Sequence, residues 1–492
     1  LGGAVMGDNP KTSALNKYLQ SWDVHNVFVP GGNAFPQNFQ ANPTDTIGAI
    51  TLMAAQAIKE HYLKNPGPWY RHKHMKLKSL LIANAVLLGS FAVQAHAEDE
   101  AALIKQGEYL SRLGDCMACH TVSGKADYAG GLAIESNLGT IFSTNITPDK
   151  EHGIGNYSEQ QFSDAVRKGV LPDGSRLYPA MPYPDYAKIS DEDMHALYVY
   201  FMKGVKPSSE QPEETKLSFP FSQRWGMRFW NWAFTSDKPF QPIGGASEEV
   251  NRGAYIVESL GHCGSCHTPR GLGMNEKALD SGDDKFLAGG SLNNWDVPSL
   301  RGLPRWSEQE IVDYLQTGRN DKAAVGGEMK SVIEHSSSHM TDADLKAIAS
   351  YLKFIGGNPP LQAYNVQKQQ ATEAKLTAAK NLTEGQRLYI DNCGACHFVT
   401  GKGAPGIFPE LDQATIVNAN DPTGLIHTIL AGAQQPSTEK APSTLAMPGF
   451  GKRLTDDEVA QLATFIRQGW SNNAPAVTKD QVADVRKTLK AE

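Results

Sequence analysis

The chain has 492 residues, with 46 Lys and Arg against 53 Asp and Glu, a formal net charge of −7 and 40% hydrophobic residues. So weak an acidic balance excludes nucleic acid as the natural partner, and the length allows several small domains. Only six cysteines are present, and none lies before residue 116.

Residues 1–74 begin at Leu1. His25-Asn-Val-Phe-Val-Pro-Gly-Gly-Asn-Ala-Phe-Pro-Gln-Asn-Phe39 alternates apolar residues into a Gly/Pro turn, and Asn42-Pro-Thr-Asp-Thr-Ile47 follows. The apolar period of Ala49 to Leu63 predicts a helix. This stretch resembles the C-terminal end of the flavin-dependent glucose–methanol–choline (GMC) oxidoreductases. The resemblance implies that the Phe-Pro and Asn-Pro segments line a flavin and that Asn42 stands where one member of a catalytic pair belongs. The partner His is missing, and so is a Gly-x-Gly-x-x-Gly turn. Such a piece cannot bury that fold's core alone. Residues 1–74 therefore read as the end of an upstream gene joined by translation through an intergenic spacer at Trp69-Tyr-Arg-His-Lys-His74; a docking extension is the alternative.

Met75-Lys-Leu-Lys78, the apolar run Leu80 to Val93 and Ala95-His96-Ala97 have the form of a secretory signal with its cleavage site, so residues 75–97 read as a signal peptide. The run is too short for a spanning helix and is followed at once by Glu98-Asp99-Glu100.

All six cysteines lie in three copies of Cys-x-x-Cys-His: Cys116, Cys119 and His120; Cys263, Cys266 and His267; Cys393, Cys396 and His397. Two thiols at that spacing can bond the two vinyl groups of one porphyrin, and the next residue offers an imidazole to its iron. Three covalently bound haems c are expected, attached outside the cytoplasm. Zinc would want a second pair of ligands beside each motif, and none is there.

Each motif heads a unit with the same order of parts, which predicts a mainly α chain of three tandem class I-like cytochrome c domains at 98–207, 241–357 and 379–475. A first helix ends at each motif (Ile104 to Leu113, Val250 to Leu260, Thr383 to Ile390), carrying Gly107, Gly253 or Gly385 where two helices can cross closely. Ser158 and Ser307 read as N-caps of a second helix. Ser190, Thr341 and Thr455 open a last helix. Before that helix each unit carries a methionine, Met181, Met329 or Met447, as sixth iron ligand; Met340 competes with Met329. His152, His195, His335 and His427 read as surface or supporting residues.

The layout resembles the trihaem cytochrome c subunits of membrane-bound bacterial alcohol, gluconate, 2-ketogluconate and sorbitol dehydrogenases, over residues 98 to about 475. The likeness extends to Thr144-Asn-Ile-Thr-Pro-Asp149, Gly153-Ile-Gly155, Cys266-His-Thr-Pro-Arg270 and Trp295. It implies an electron-transfer subunit with no catalytic residues of its own. FAD would sit only in a GMC-family partner subunit, a small third subunit would accompany the pair, and ubiquinone at the periplasmic face of the inner membrane would take the electrons. It also offers Arg270 and Trp295 as partners of haem propionates, against a plain salt bridge or a packed indole. The flavoprotein-like start points to D-gluconate, oxidised to 2-keto-D-gluconate. 2-Ketogluconate, sorbitol, fructose and alcohol dehydrogenases are rivals, as are a free periplasmic shuttle and a peroxidase-like haem enzyme.

Three segments remain. Residues 208–240 form an aromatic-rich linker, Phe219 to Phe234, expected to pack between the first two units, with a quinone, flavoprotein or membrane surface as the sharper reading. Residues 358–378 read as a second linker, and 476–492 as a tail that is either solvated or a thin peripheral anchor.

Overall fold

The computed structural model describes residues 5–6, 12–16, 18–24, 26–30, 44–64, 100–136, 138–292, 295–356 and 363–489. The chain divides into two compact units, 1–93 and 94–492. In the first, isolated bridges join Leu15 to Ser21 and Gln20 to Phe28. Helix α1 (Thr44–Ala57) starts earlier than the apolar period suggests and runs into a wide π-type turn at Ile58–Tyr62. Its described core is small: Leu15, Leu19 and Ala54, with Met6 and Val29 against them. Asn42 and the proposed signal at 75–97 lie outside the described residues.

The second unit is mainly helical. Helix α2 (100–113) leads into the motif helix α3 (Cys116–His120). A hairpin of β1 (Ala133–Ser136) and β2 (Gly139–Phe142) follows, and β3 (Lys216–Leu217) later adds to its edge. Then come α4 (Glu159–Lys168), the short α5 (Tyr183–Tyr186), α6 (Asp191–Val199) and, after β3, α7 (Met227–Phe234). The order repeats with α8 (Glu248–Tyr255), α9 (Gly264–His267), the hairpin β4 (Gly290–Leu292) and β5 (Trp295–Val297), α10 (Glu308–Thr317), α11 (Met329–His335) and α12 (Asp342–Gly356). It repeats again, after α13 (Val366–Ala378), with α14 (Glu384–Asn392), α15 (Gly394–His397), α16 (Thr415–Asn418) and α17 (Thr423–Ala431). The hairpin β6 (Ala433–Gln434) and β7 (Ala446–Met447), α18 (Asp456–Gln468) and α19 (Lys479–Leu489) complete it.

Local chemistry explains where these helices begin. Ser158, Ser307, Thr383 and Thr455 each accept from the third backbone N–H of their helix, while Gln161, Glu310, Gln386 and Glu458 reach back to the cap N–H. These capping boxes satisfy amides that would otherwise be orphaned.

The glycines do what their repeated position suggests. A Cβ on Gly107 would lie 2.1 Å from the Ala196 carbonyl oxygen, one on Gly253 2.0 Å from that of Ala347, and one on Gly385 2.3 Å from that of Gln461. In every repeat, then, the helix before the motif crosses the last helix at backbone contact, a distance open only to glycine.

One continuous apolar cluster, from Leu110 to Ile355, lies beneath the first two repeats, whereas the third has its own, from Leu376 to Val485. The linker and tail readings need correction here. Residues 366–378 form α13, whose Leu376 is buried in the third core. The supposed tail is α19: Val482 is 0% exposed, and Arg486 pairs with Asp456 at 2.6 Å. A thin apolar stripe suffices because α17 and α18 receive it. The 208–240 stretch likewise contains a helix, α7, and only some of its aromatic residues pack inward.

Candidate haem-attachment sites

The three motif histidines share one geometry. His120 Nδ1 lies 2.6 Å from the carbonyl oxygen of Thr144, His267 Nδ1 2.7 Å from that of Pro298, and His397 Nδ1 2.9 Å from that of Pro409. A carbonyl can only accept, so each Nδ1 carries the hydrogen and each Nε2 keeps its lone pair. Burial pushes all three imidazoles below their ordinary pKa, with the carbonyl bond opposing. They are neutral imidazoles held from behind by a carbonyl, the arrangement that suits a metal-binding histidine.

None of the six cysteines is in a disulfide. Burial pushes Cys116, Cys263 and Cys393 up to about 12, and Cys119 and Cys266 up to about 11. Each motif brings two thiols and one imidazole with a free Nε2, one ligand short of a closed zinc site. The donor set fits a covalently attached haem c.

Met181 is half-buried against the shared core, and Met447 is half-buried on β7, opposite Ala433, against the third core. Met329 opens α11, which packs on α3 of the first repeat. Its neighbour Glu328 acts on both Cys119 and Cys266, so the first two motifs stand close together. Met340, the competing candidate, is a buried core residue.

Arg270 and Trp295 are otherwise engaged. Arg270 lies 3.7 Å from Glu276 and donates to the Ser265 carbonyl inside the second motif. The Trp295 ring lies 4.5 Å from that of His427 on α17 and also packs against Gly327 and Gly424. The indole thus wedges between the Met329 loop and the third repeat. His195 is a surface partner of Glu159 at 2.8 Å.

The cytochrome c family model matches residues 250–355 and 382–470. Over 424 residues, 84% of this chain and 95% of the relative, the chain is 45% identical to the gluconate 2-dehydrogenase cytochrome c subunit of Pantoea cypripedii. The chain belongs to the family of dehydrogenase cytochrome c subunits. The cytochrome c subunit of Gluconobacter oxydans alcohol dehydrogenase (quinone) is also 45% identical, over 82% of this chain and 86% of that one. The GMC oxidoreductase model matches residues 1–51. Over 67 residues the chain is 66% identical to the gluconate 2-dehydrogenase flavoprotein of Pantoea cypripedii, which is 14% of this chain and 11% of that one.

Sequence reasoning about this cytochrome c subunit missed a buried acid pair beside the second motif. Ser265, between Cys263 and Cys266, lies 3.0 Å from Asp185 and 3.2 Å from Glu276. Desolvation raises Asp185 to about 6 and holds Glu276 well above the carboxylate range, where the Asp185 charge adds to the effect. The two acids are 91 positions apart (276 minus 185), so no local pattern announces them. The carbonyls that hold the histidines were equally hidden, although Pro298 and Pro409 recur shortly before the second helix region.

Proposed function

We propose that this chain is the electron-transfer subunit of a membrane dehydrogenase at the periplasmic face. Its partner would be an FAD-containing GMC-family subunit that oxidises D-gluconate to 2-keto-D-gluconate, with ubiquinone as acceptor and a small third subunit in the complex. The domains run 98–207, 241–357 and 379–475, after a signal peptide at 75–97. The GMC oxidoreductase match at residues 1–51 supports a flavoprotein of that family as the partner.

Cys116 and Cys119, Cys263 and Cys266, and Cys393 and Cys396 would hold three haems c. His120, His267 and His397 would be the iron ligands that the motifs supply, and Met181, Met329 and Met447 would be the second set. So bound, each haem supplies a one-electron iron couple whose coordination does not change with its charge. The chain's own part is to fix the imidazoles through the Thr144, Pro298 and Pro409 carbonyls, to keep them neutral by burial, and to seat the motifs on packed apolar cores.

One observation carries the choice of substrate: a single chain matches both the cytochrome c subunit and the flavoprotein of gluconate 2-dehydrogenase from one organism. The equal identity to a quinone alcohol dehydrogenase subunit favours a second reading, but the match at residues 1–51 favours a flavin partner.

The test is expression of residues 75–492 with haem maturation, with and without the neighbouring flavoprotein, and addition of D-gluconate. Reduction of the haem c absorbance band only with the flavoprotein is expected. Reduction by sorbitol, 2-ketogluconate or an alcohol instead would keep the role and change the substrate. No reduction by any of them would leave a free shuttle.

A further inference from the structure

Helix α7 has two aromatic faces, and only one is used. On the inner face, Trp230 donates its indole N–H to the Gly273 carbonyl at 2.7 Å and packs against Tyr183 and Phe234. Asn231 is buried, accepts from Tyr183 at 2.8 Å and donates to the Lys168 carbonyl at 3.1 Å. These contacts bolt the helix to the body of the protein.

On the outer face, Phe229 and Trp232 lie one turn apart, and Trp225, in the 3-10 turn Arg224–Gly226 that leads into the helix, meets Phe229 edge to face with ring centroids 6.3 Å apart. Trp232 is 85% exposed, and Trp225 and Phe229 are each about two-thirds exposed. The preceding loop adds Phe219, 82% exposed. The loop whose Gly273 carbonyl takes the Trp230 hydrogen also leaves Leu272 and Met274 exposed. Trp225, Phe229 and Trp232 line one groove, with Phe219 exposed just before it in the chain. A soluble surface rarely leaves so many together.

The charge is mixed at the rim of the patch, where Lys216 pairs with Glu213 at 2.6 Å and Asp173 lies near Arg224, and basic in its groove. Residues 215–236 contain Lys216, Arg224 and Arg228 and no acidic residue, in a chain of net charge −7. Arg228 lines the outer groove with Trp225, Phe229 and Trp232. Tryptophan and phenylalanine edged by arginine match the headgroup region of an anionic bilayer, where an indole can be half wet and a cation meets phosphate. Among the described residues, no helix is long and apolar enough to cross a membrane.

We propose that the outer face formed by Trp225, Phe229 and Trp232, with Phe219, inserts shallowly into the surface of an anionic phospholipid bilayer. The proposal shares with the proposed function only the location at a membrane and needs no particular substrate.

The test uses the haem-matured chain and vesicles of equal parts phosphatidylethanolamine and phosphatidylglycerol, with phosphatidylcholine vesicles for comparison. Cosedimentation with the anionic vesicles is expected, with quenching of tryptophan fluorescence by brominated lipid. The triple variant W225S/F229S/W232S is expected to lose vesicle affinity by roughly tenfold or more. R224Q/R228Q is expected to lose mainly the preference for phosphatidylglycerol. Trp225, Phe229 and Trp232 lie outside the buried cores, and haem content and thermal unfolding of the triple variant report whether it folds. Parental vesicle binding by a folded triple variant would overturn the proposal. Loss of flavoprotein co-purification with vesicle binding intact would overturn it too, and mark the patch as a subunit interface. Reduction of the haem band by substrate plus flavoprotein is read separately, so failure of the dehydrogenase assignment leaves this result standing.

Discussion

Tyr109 donates its phenolic hydrogen to Asp344 at 2.6 Å, across the seam between the first and second haem-motif units. Tyr255 donates to Asp193 at 2.6 Å in the opposite direction. Each tyrosine sits two residues after a crossing glycine, Gly107 or Gly253, and each aspartate in the first turn of a last helix. The cap N–H groups of Thr341 and Ser190 in turn donate to these phenols, each at 3.1 Å. The two units therefore pack as a pseudo-symmetric pair. The third unit has Arg387 at the matching position and makes no such bond.

Loss of either phenol leaves a half-buried carboxylate short of a donor. Tyr109→Phe and Tyr255→Phe are each expected to destabilise the protein by about 1–3 kcal/mol. Denaturant unfolding of the haem-matured chain measures it. Asp344 keeps Arg252 at 2.8 Å, whereas no Arg or Lys pairs with Asp193 among the described ion pairs, so Tyr255→Phe is expected to cost more.

The crossing glycines give a sharper test. Gly253→Ala drives a methyl group into the Ala347 carbonyl, and the helices must separate. A loss of about 2 kcal/mol or more is expected, with lower haem incorporation. Gly226→Ala, which meets nothing within 4 Å, is the control and is expected to be neutral or slightly stabilising. Equal effects of the two would sink the packing argument.

What the sequence disclosed runs along a local-to-distant gradient. Thr383 and Gln386, or Gly385 and the helix around it, announce themselves within one turn of chain, and the repetition of motif, cap and methionine supplied the order of parts. Asp185 and Glu276, or Trp295 and His427, meet only after the chain has folded back on itself. The same reason hid α19: Val482 and Val485 look like a thin stripe until α17 and α18 are known to flank them.

The acid pair predicts a pH dependence. Its folded pKa values lie above those of free carboxyls, so the native state keeps protons that the unfolded chain releases above about pH 4. Its contribution to stability is full below that pH and falls as pH rises through about 6, the Asp185 value, and beyond for Glu276. Lys188 and Arg270 oppose the shift of Asp185. Glu276→Gln is expected to flatten the profile, gaining on the parent as pH rises from 5 to 8. Thermal unfolding across that range measures it; parallel profiles would refute the assignment.

Helix α19 separates a structural element from a dispensable end. Val482→Asp places a carboxylate in the third core and is expected to cost about 3 kcal/mol or more. Lys487→Ala, on the exposed side, is expected to change stability by less than about 0.5 kcal/mol. Urea unfolding followed at the haem band compares them. No effect from Val482→Asp would return the segment to the status of a tail.

The division of cores has a consequence for how the motifs respond to their surroundings. The first two rest on one layer of interlocked apolar side chains, which dissolved salt does not screen. The third meets the second through Trp295 and through charged contacts, Arg305 with Glu410 at 2.6 Å and Lys440 with Asp342 at 2.9 Å. Counter-ions weaken such pairs in proportion to their exposure. Ionic strength therefore weighs more on the joint to the third repeat, where the Lys440–Asp342 pair is exposed, than on the first seam, where Lys188 meets Glu258 out of solvent at 3.6 Å.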